Sequence, residues 1–368
     1  MRDNYTINIE NCKDVNINFA TPIVQHEDFA NFEEKKKKTE QEILKVIDEE
    51  LNDYEKKKKL SLILSDLYND IDLVMRAERV HQCSTFIEYA VNTLTKAKRV
   101  SYINSCKDRL CPTCQFRRGF RLYNQVSKAL ANYTASNNMF FMLTLTTVNV
   151  TLDKLKDEVT KIINAFTKLS RRKFFKSCYQ GYVRVVEIVI DRDEYITQEY
   201  VSKRFDYCKR HKIEVGDINK NYMHANVHIH CILHTTKTLY KHNYVKKADI
   251  VRAWQTATND ERNCVIDIRE IRDLQAIYSK STADISKAVA EVCKYSVKPL
   301  ELIRCDENDK IVVSTVLSAI SNKRLFSTAG TLKIANVDNL ADPDADDEEV
   351  FYKYFWHYSQ QYRRIVAS

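Results

Sequence analysis

Glycine and proline are scarce in this chain, with four of each among 368 residues. A P-loop or a dinucleotide-binding turn needs clustered glycines so that backbone N–H groups can approach phosphates, and no such cluster exists here. Long apolar runs are also missing: none approaches the ~20 residues that span a bilayer. The opening residues Met1-Arg2-Asp3-Asn4-Tyr5 lack the apolar core of a signal peptide. A soluble, cytoplasmic protein is therefore expected. With 44% hydrophobic and 29% charged residues it can bury one large core or two modest ones. The formal net charge of +8 suits a polyanionic partner without establishing one.

Cysteine, by contrast, is plentiful. Eleven cysteines, odd in number and scattered through a Lys-rich chain, do not look like the dense even framework of a small secreted domain. In a reducing compartment, clustered cysteines point to a metal and isolated ones to small core residues. One cluster stands out: Cys106, Cys111 and Cys114 give C-x4-C-x2-C within nine residues. The Cys-Pro-x-Cys turn suits tetrahedral Zn²⁺, which accepts thiolates at ~2.3 Å. A closed site needs a fourth ligand, for which Cys83 is the nearest upstream cysteine and His81 the alternative. Arg109 lies inside the cluster, and Arg117, Arg118 and Arg121 follow it among Phe116, Phe120 and Tyr123. Cations interleaved with aromatic faces suit phosphate contacts and base stacking, although an ordinary surface helix shares that composition.

Periodicity divides the rest. Residues 1 to about 30 read as a loose polar tail, and Phe32 to Ala77 as helical, with Ile43, Ile47, Leu51 and Tyr54 at helical spacing. The runs Lys35–Lys38 and Lys56–Lys59 read as solvated helix faces. Strands are expected at Met139–Thr147, Gly181–Ile190, Ala225–His234 and Cys264–Ile271, and helices at Leu152–Leu169, Ala248–Ala257 and Thr282–Val297, the last stopped by Pro299. Phe351–Ile365 reads as a packing helix. The expected class is α+β, an antiparallel sheet flanked by helices. Its parts are a Lys-rich helical region (1–78), a cysteine segment (79–134), the sheet domain (135–300) and a C-terminal extension packing on the core (301–368).

Within the sheet domain, alternation sends Val227, Ile229, Cys231 and Leu233 to one face, and His228, His230 and Ile232 to the other. Two imidazoles side by side on a strand can serve one divalent metal, or simply decorate a half-buried strand. Farther on, Glu291, Tyr295 and Lys298 fall at i, i+4 and i+7, one face of a helix. A metal that polarises a phosphodiester makes tyrosine a competent nucleophile, with Glu291 as a general base toward a water or a 3′-hydroxyl and Lys298 stabilising charge. That spacing alone is mundane in a chain with 21 tyrosines.

Taken in order, Met142–Thr146, His228-Ile229-His230 and Glu291–Lys298 resemble the three motifs of plasmid rolling-circle replication initiators of Gram-positive type. These belong to the HUH endonuclease class with a single catalytic tyrosine. Cys83 to Arg118, the strand Gly181–Glu187, Trp254 and the stretch from Lys323-Arg324 to Gly330 extend the resemblance over roughly residues 79 to 332. It implies an HUH-type antiparallel sheet and a catalytic Mn²⁺ or Mg²⁺ held by His228 and His230, with structural Zn²⁺ at the cysteines. It further implies that Tyr295 nicks one strand at the origin, keeping the 5′-phosphate and freeing a 3′-hydroxyl primer. Glu291 matches the position of the glutamate that ends the reaction by hydrolysis. The usual pattern is close to His-Pro-His-x-His, whereas Asn226-Val227 stands in place of the His-Pro here. His224 is therefore left outside the site, and Glu187 on the preceding strand is the preferred third ligand. Implied partners are plasmid origin DNA, a host helicase and a polymerase, with a homodimer left open and no membrane. The rivals are a zinc-dependent DNA-binding regulator without catalysis and an HUH transposase or relaxase.

Overall fold

The computed structural model of the protein describes residues 40–92, 95, 97–133, 137–262, 265–272, 284–293, 297–334 and 349–365. The chain opens with helix α1 (Glu40–Asp70) and helix α2 (Val74–Gln82), then strands β1 (Phe86–Asn92) and β2 (Lys98–Ile103). Helix α3 (Pro112–Ala131) leads into β3 (Asn138–Thr146), β4 (Val150–Thr151), helix α4 (Leu155–Arg171) and β5 (Gly181–Ile190). After two short helices come β6 (His224–Thr236), helix α5 (Lys247–Thr258), β7 (Ile266–Ile271) and helix α6 (Asp284–Cys293). Helix α7 (Asp309–Ile320), β8 (Phe326–Gly330), β9 (Glu349–Trp356) and β10 (Tyr362–Ile365) complete it. The tail, the Lys35–Lys38 run and Tyr295 lie outside the described residues.

The larger sheet runs β7-β3-β6-β5-β8, every pair antiparallel, with β4 on the leading end of β6. It is α+β, as the pattern of strands and intervening helices predicts. The strand period of two divides the side chains cleanly. Val186, Ile188, Val227, Ile229, Cys231 and Leu233 pack under α4, α5 and α7, which contribute Val159, Ile162, Phe166, Trp254, Val312 and Val316. On the other face Val183, Val185, Ile232, Phe140 and Met142 lie under Leu122, Val126 and Leu130 of α3 and Ile285, Val289 and Val292 of α6. Burying a Val, Leu or Ile fully is worth about 1.5–3 kcal/mol each, so both faces are strongly held. Trp254 also donates its indole N–H to the Thr146 carbonyl at 2.9 Å, pinning α5 to the end of β3.

The sheet extends past residue 300, because β8 pairs with β5. Two of the four glycines face each other in that pairing, Gly181 opposite Gly330. Gly330 has φ +61°, and a Cβ there would sit 1.9 Å from the Gln180 carbonyl oxygen. Only glycine fits.

A second sheet, β10-β9-β1-β2, joins the last two described strands to the first two. Phe351–Ile365 is thus two strands and not a packing helix. Tyr352 and Tyr354 point inward while Phe351, Lys353 and Phe355 are exposed, a period of two that aromatic side chains favour. The first half of α1 lays Ile43, Ile47, Leu51 and Tyr54 across this sheet, against Ile87, Tyr89 and Val91. Its second half buries Leu60, Leu64 and Tyr68 in the main core.

Candidate active site and cysteine cluster

On the face covered by α3 and α6, the apolar side chains end and polar ones take over. Along β5 the sequence is Val183, Val185, then Glu187; along β6, read backwards, it is Ile232, His230, then His228. Register brings these together: Glu187 pairs with His228, and Thr144 with His230. A single carboxylate oxygen, Glu187 Oε2, lies 3.1 Å from His228 Nε2 and 3.1 Å from His230 Nε2. Burial by itself would raise the Glu187 carboxyl, but the hydrogen bonds and charge of the two imidazoles outweigh it and hold it well below the usual carboxylate range. The carboxylate is therefore ionised and has ring nitrogens on two sides.

The other ring nitrogens are also engaged. His228 Nδ1 is 3.1 Å from Asn226 Oδ1, and His230 Nδ1 is 3.3 Å from Thr144 Oγ1. Outer partners of this kind fix which nitrogen points inward. Asn226, itself donating to Asn149 Oδ1 at 2.7 Å, occupies the position where the resembled pattern has its first histidine. Its supporting role was not visible from spacing alone. His224 is absent from the cluster, its Nδ1 held 2.9 Å from the Tyr222 carbonyl. An octahedral ion with arms of about 2.1 Å separates neighbouring donors by about 3.0 Å, and the observed 3.1 Å separations fit that demand. Glu187, His228 and His230 together offer three ligand atoms within 4.8 Å of one another.

Helix α6 brings a second carboxylate to the edge, with Glu291 Oε1 3.3 Å from His230 Nε2. The described part of this helix runs to Cys293, and residues 294–296 lie outside the described residues. Lys298 is extended (φ −72°, ψ 133°) because it precedes Pro299, whose ring disfavours the helical region for its neighbour. The expected single helical face for Glu291, Tyr295 and Lys298 therefore does not extend to Lys298. Lys298 still reaches the site's field. Burial would lower its ammonium, yet Glu301, Glu187 and Glu291 raise it. Glu301, 3.2 Å from Lys298 Nζ, was not anticipated from the sequence; burial raises its carboxyl, with Lys298 opposing.

The cysteine cluster is built differently. Cys111 is the N-cap of α3 and Pro112 its first residue, so Cys111 and Cys114 sit in the first turn of one helix. Cys83 comes from the end of α2 and Cys106 from the loop after β2. The sulfur separations are 3.5 Å for Cys83–Cys114, 3.5 Å for Cys106–Cys114 and 3.6 Å for Cys83–Cys111. A tetrahedron with ~2.3 Å arms has edges of about 3.8 Å, so the four thiols fit one thiophilic ion. His81 is exposed and offers only its carbonyl, which accepts from Lys58. Hydrogen bonds from Cys106, Cys111 and Cys114 hold the Cys83 thiol far below its ordinary range.

Lys57 and Lys58 correct the reading of their run as a solvated face, for both are buried. Lys58 donates to the carbonyl of Cys83 at 2.7 Å, and burial brings its ammonium down to about 8 against the pull of Cys83, Cys111 and Cys106. Lys57 lies 4.1 Å over the Phe116 ring. Among the arginines, Arg109 donates to the carbonyls of Ile320 and Lys323, both at 2.8 Å, closing the end of α7. Arg118 is exposed, and Arg117 and Arg121 are half-buried. Gly119 links the two clusters: a Cβ there would sit 3.1 Å from the Cys293 carbonyl, so α3 presses directly on the end of α6.

No helix among the described residues is long and apolar enough to cross a membrane. Residues 97–361 match the sequence model of a family described as Replication protein. The chain is similar to a Protein rep of Bacillus amyloliquefaciens, 26% identical over 74% of this chain and 76% of that protein. A Protein rep of Lentilactobacillus hilgardii is 28% identical over 75% of this chain and 81% of its own length. One from Staphylococcus aureus is 27% identical over 62% and 82%. No solved structure matches the chain. With most of its length inside the family's match, the chain belongs to the replication proteins, as a plasmid Rep initiator.

Proposed function

We propose that this replication protein starts rolling-circle replication by nicking one strand of the plasmid origin with Tyr295, in an HUH-type site. The carrying observation is the Glu187 oxygen shared by His228 and His230, with Glu291 at its edge. Glu187, His228 and His230 would hold Mn²⁺ or Mg²⁺, which when bound supplies Lewis-acid polarisation of the scissile phosphate. Carboxylate oxygen suits either ion, and the two imidazoles favour Mn²⁺ over Mg²⁺.

The chain's own groups do the rest. The Tyr295 hydroxyl oxygen attacks phosphorus, the bond from phosphorus to the 3′-oxygen breaks, and the DNA 5′ end is left on tyrosine. The phenol proton passes to a base, and the departing oxygen gains one to become the 3′-hydroxyl primer. Glu291 is suited to activating the water that later hydrolyses the phosphotyrosine ester. Lys298 adds positive charge beside the phosphate oxygens. The substrate is extruded single-stranded DNA, because a side chain above a sheet cannot attack in line inside a relaxed duplex. The cysteine cluster would hold Zn²⁺ and seat α3, leaving Arg117, Arg118 and Arg121 as candidate phosphate contacts. Arg109 is the weakest DNA candidate, because its guanidinium already closes α7. A host helicase and polymerase would extend the primer in the cytoplasm, with the protein acting as monomer or homodimer.

The test is incubation with single strands of the origin and Mn²⁺, followed by a denaturing gel. Wild type should give a DNA–protein adduct and Tyr295→Phe none. No adduct from wild type, or as much from Tyr295→Phe, sinks the mechanism. Glu291→Ala should nick normally yet release its adduct on the order of 100-fold more slowly, within the range for losing one general base. Equal loss of both steps would remove its assigned role.

A further inference from the structure

Between β5 and β6 the chain makes an excursion over residues 191–223. Its first residue is four after Glu187 and its last is five before His228, so it springs from the end of the sheet that carries these two side chains. Its base is tightly built. Arg192 is buried and pairs with Asp309 at 2.8 Å, Asn219 donates to the Asp193 carbonyl at 2.8 Å, and Met223 N–H donates to the Asp191 carbonyl at 2.7 Å. Its outer part contrasts with this. Lys203-Arg204-Phe205-Asp206-Tyr207-Cys208-Lys209-Arg210-His211-Lys212 carries five Lys or Arg side chains against one Asp. Phe205 is 60% exposed and Tyr207 43%. Tyr195 and Ile218, bridged to each other, are exposed as well.

Large aromatic side chains left in water forfeit about 1.5–3 kcal/mol of burial each, and here Phe205 and Tyr207 are flanked by Lys203 and Arg204 on one side and Lys209 and Arg210 on the other. Rings already pair with cationic or imidazole groups on this surface. The Arg204 guanidinium lies 4.2 Å over the Tyr200 ring, and Tyr207 is 4.4 Å from the His211 ring. Rings that accept bases, flanked by cations that accept phosphates, form the surface that binds single-stranded nucleic acid. A protein partner would be met by an apolar patch with few charges at its centre, which this surface is not.

We propose that the 191–223 excursion is a platform for single-stranded DNA, holding the strand that enters the Glu187–His228–His230 site through Phe205, Tyr207, Lys209 and Arg210. The proposal rests on the nicking reading of that site. It adds a second DNA surface, one that lies between the ligands Glu187 and His228 in the sequence.

The test uses the full chain and a fluorescent single-stranded origin oligonucleotide, with binding measured by anisotropy between 50 and 200 mM salt. The double substitution Phe205→Ala, Tyr207→Ala should weaken binding on the order of 10- to 100-fold with the salt slope kept. Lys209→Gln with Arg210→Gln should lower the salt slope by about 1.4, at about 0.7 per phosphate contact on single strands. Unchanged thermal melting shows that the variants are folded. If both bind like wild type, or if they alter only self-association in sedimentation, the platform is overturned. Those results leave the nicking reading intact wherever wild type still forms its adduct. Loss of binding in the variants with no adduct from wild type supports the platform and removes the nicking reading instead.

Discussion

The two ligand clusters differ in the way that closed and open metal sites differ. The cysteine set has four protein donors drawn from three separate segments, packed on buried Lys58, Ser61 and Leu110. It has no room for substrate and every reason to hold the chain together. The Glu187–His228–His230 set has three donors on two adjacent strands, already fixed by register and by packing beneath. Glu291 lies at its edge, 3.3 Å from His230 Nε2. Removing a donor from the first should cost stability, and from the second, chemistry.

The sharpest way to break this comparison is His230→Ala. Adduct formation should fall by on the order of 1,000-fold, comparable to removing a major electrostatic element of catalysis, while the melting temperature moves little. A large fall in melting temperature would mean that the histidines are structural. Next in size is Cys111→Ser, expected to lower unfolding stability by on the order of 4 kcal/mol and to remove one bound Zn²⁺ per chain. Metal analysis and denaturant unfolding measure both. A variant as stable as wild type would contradict a closed structural site.

A third prediction sets His234 against its strand neighbours. His234 lies on the same strand and on the same side as His228 and His230, yet its nitrogens meet Thr331 Oγ1 at 2.7 Å and Asn138 Oδ1 at 3.0 Å, with Tyr133 and Phe140 against the ring. Burial lowers its pKa to about 4. Folding thus favours the neutral ring, and its contribution is full above pH 6.5 and lost as pH falls from 6.5 towards 4. At pH 4.5 wild type should have lost about 2–3 kcal/mol from this group, read as the difference in urea unfolding from His234→Asn. Identical pH slopes would show that His234 titrates freely. The smallest effect expected is that of Asn226→Ala, which frees one side of the His228 ring. Mn²⁺ affinity by calorimetry should fall about 10- to 100-fold with zinc content unchanged.

Much of the larger sheet was legible in the sequence because a period of two is unambiguous when one face is apolar. The strand Gly181–Ile190 and the split of Val227, Ile229 and Cys231 from His228 and His230 follow directly from alternation. Glu187 entered through strand adjacency, and register then set it opposite His228. Less legible was whatever depends on distant partners. Lys58 reads like its solvated neighbours until α1 is laid against the loop bearing Cys83. The strands at Glu349–Trp356 and Tyr362–Ile365 carry an aromatic pattern compatible with a helix, and only pairing with Phe86–Asn92 decides it. Lys298 is extended because Pro299 follows it, a local rule that spacing alone overlooked. Tyr295 remains a reading from the sequence, supported by its place four residues after Glu291.

Covalent attachment of DNA through Tyr295 is tested most directly by peptide mapping of the DNA-linked product. After reaction with origin single strands and Mn²⁺, protease digestion and mass spectrometry should find the nucleotide 5′-phosphate on Tyr295. A nucleotide attached to another tyrosine, or cleaved DNA with no attachment at all, would contradict it.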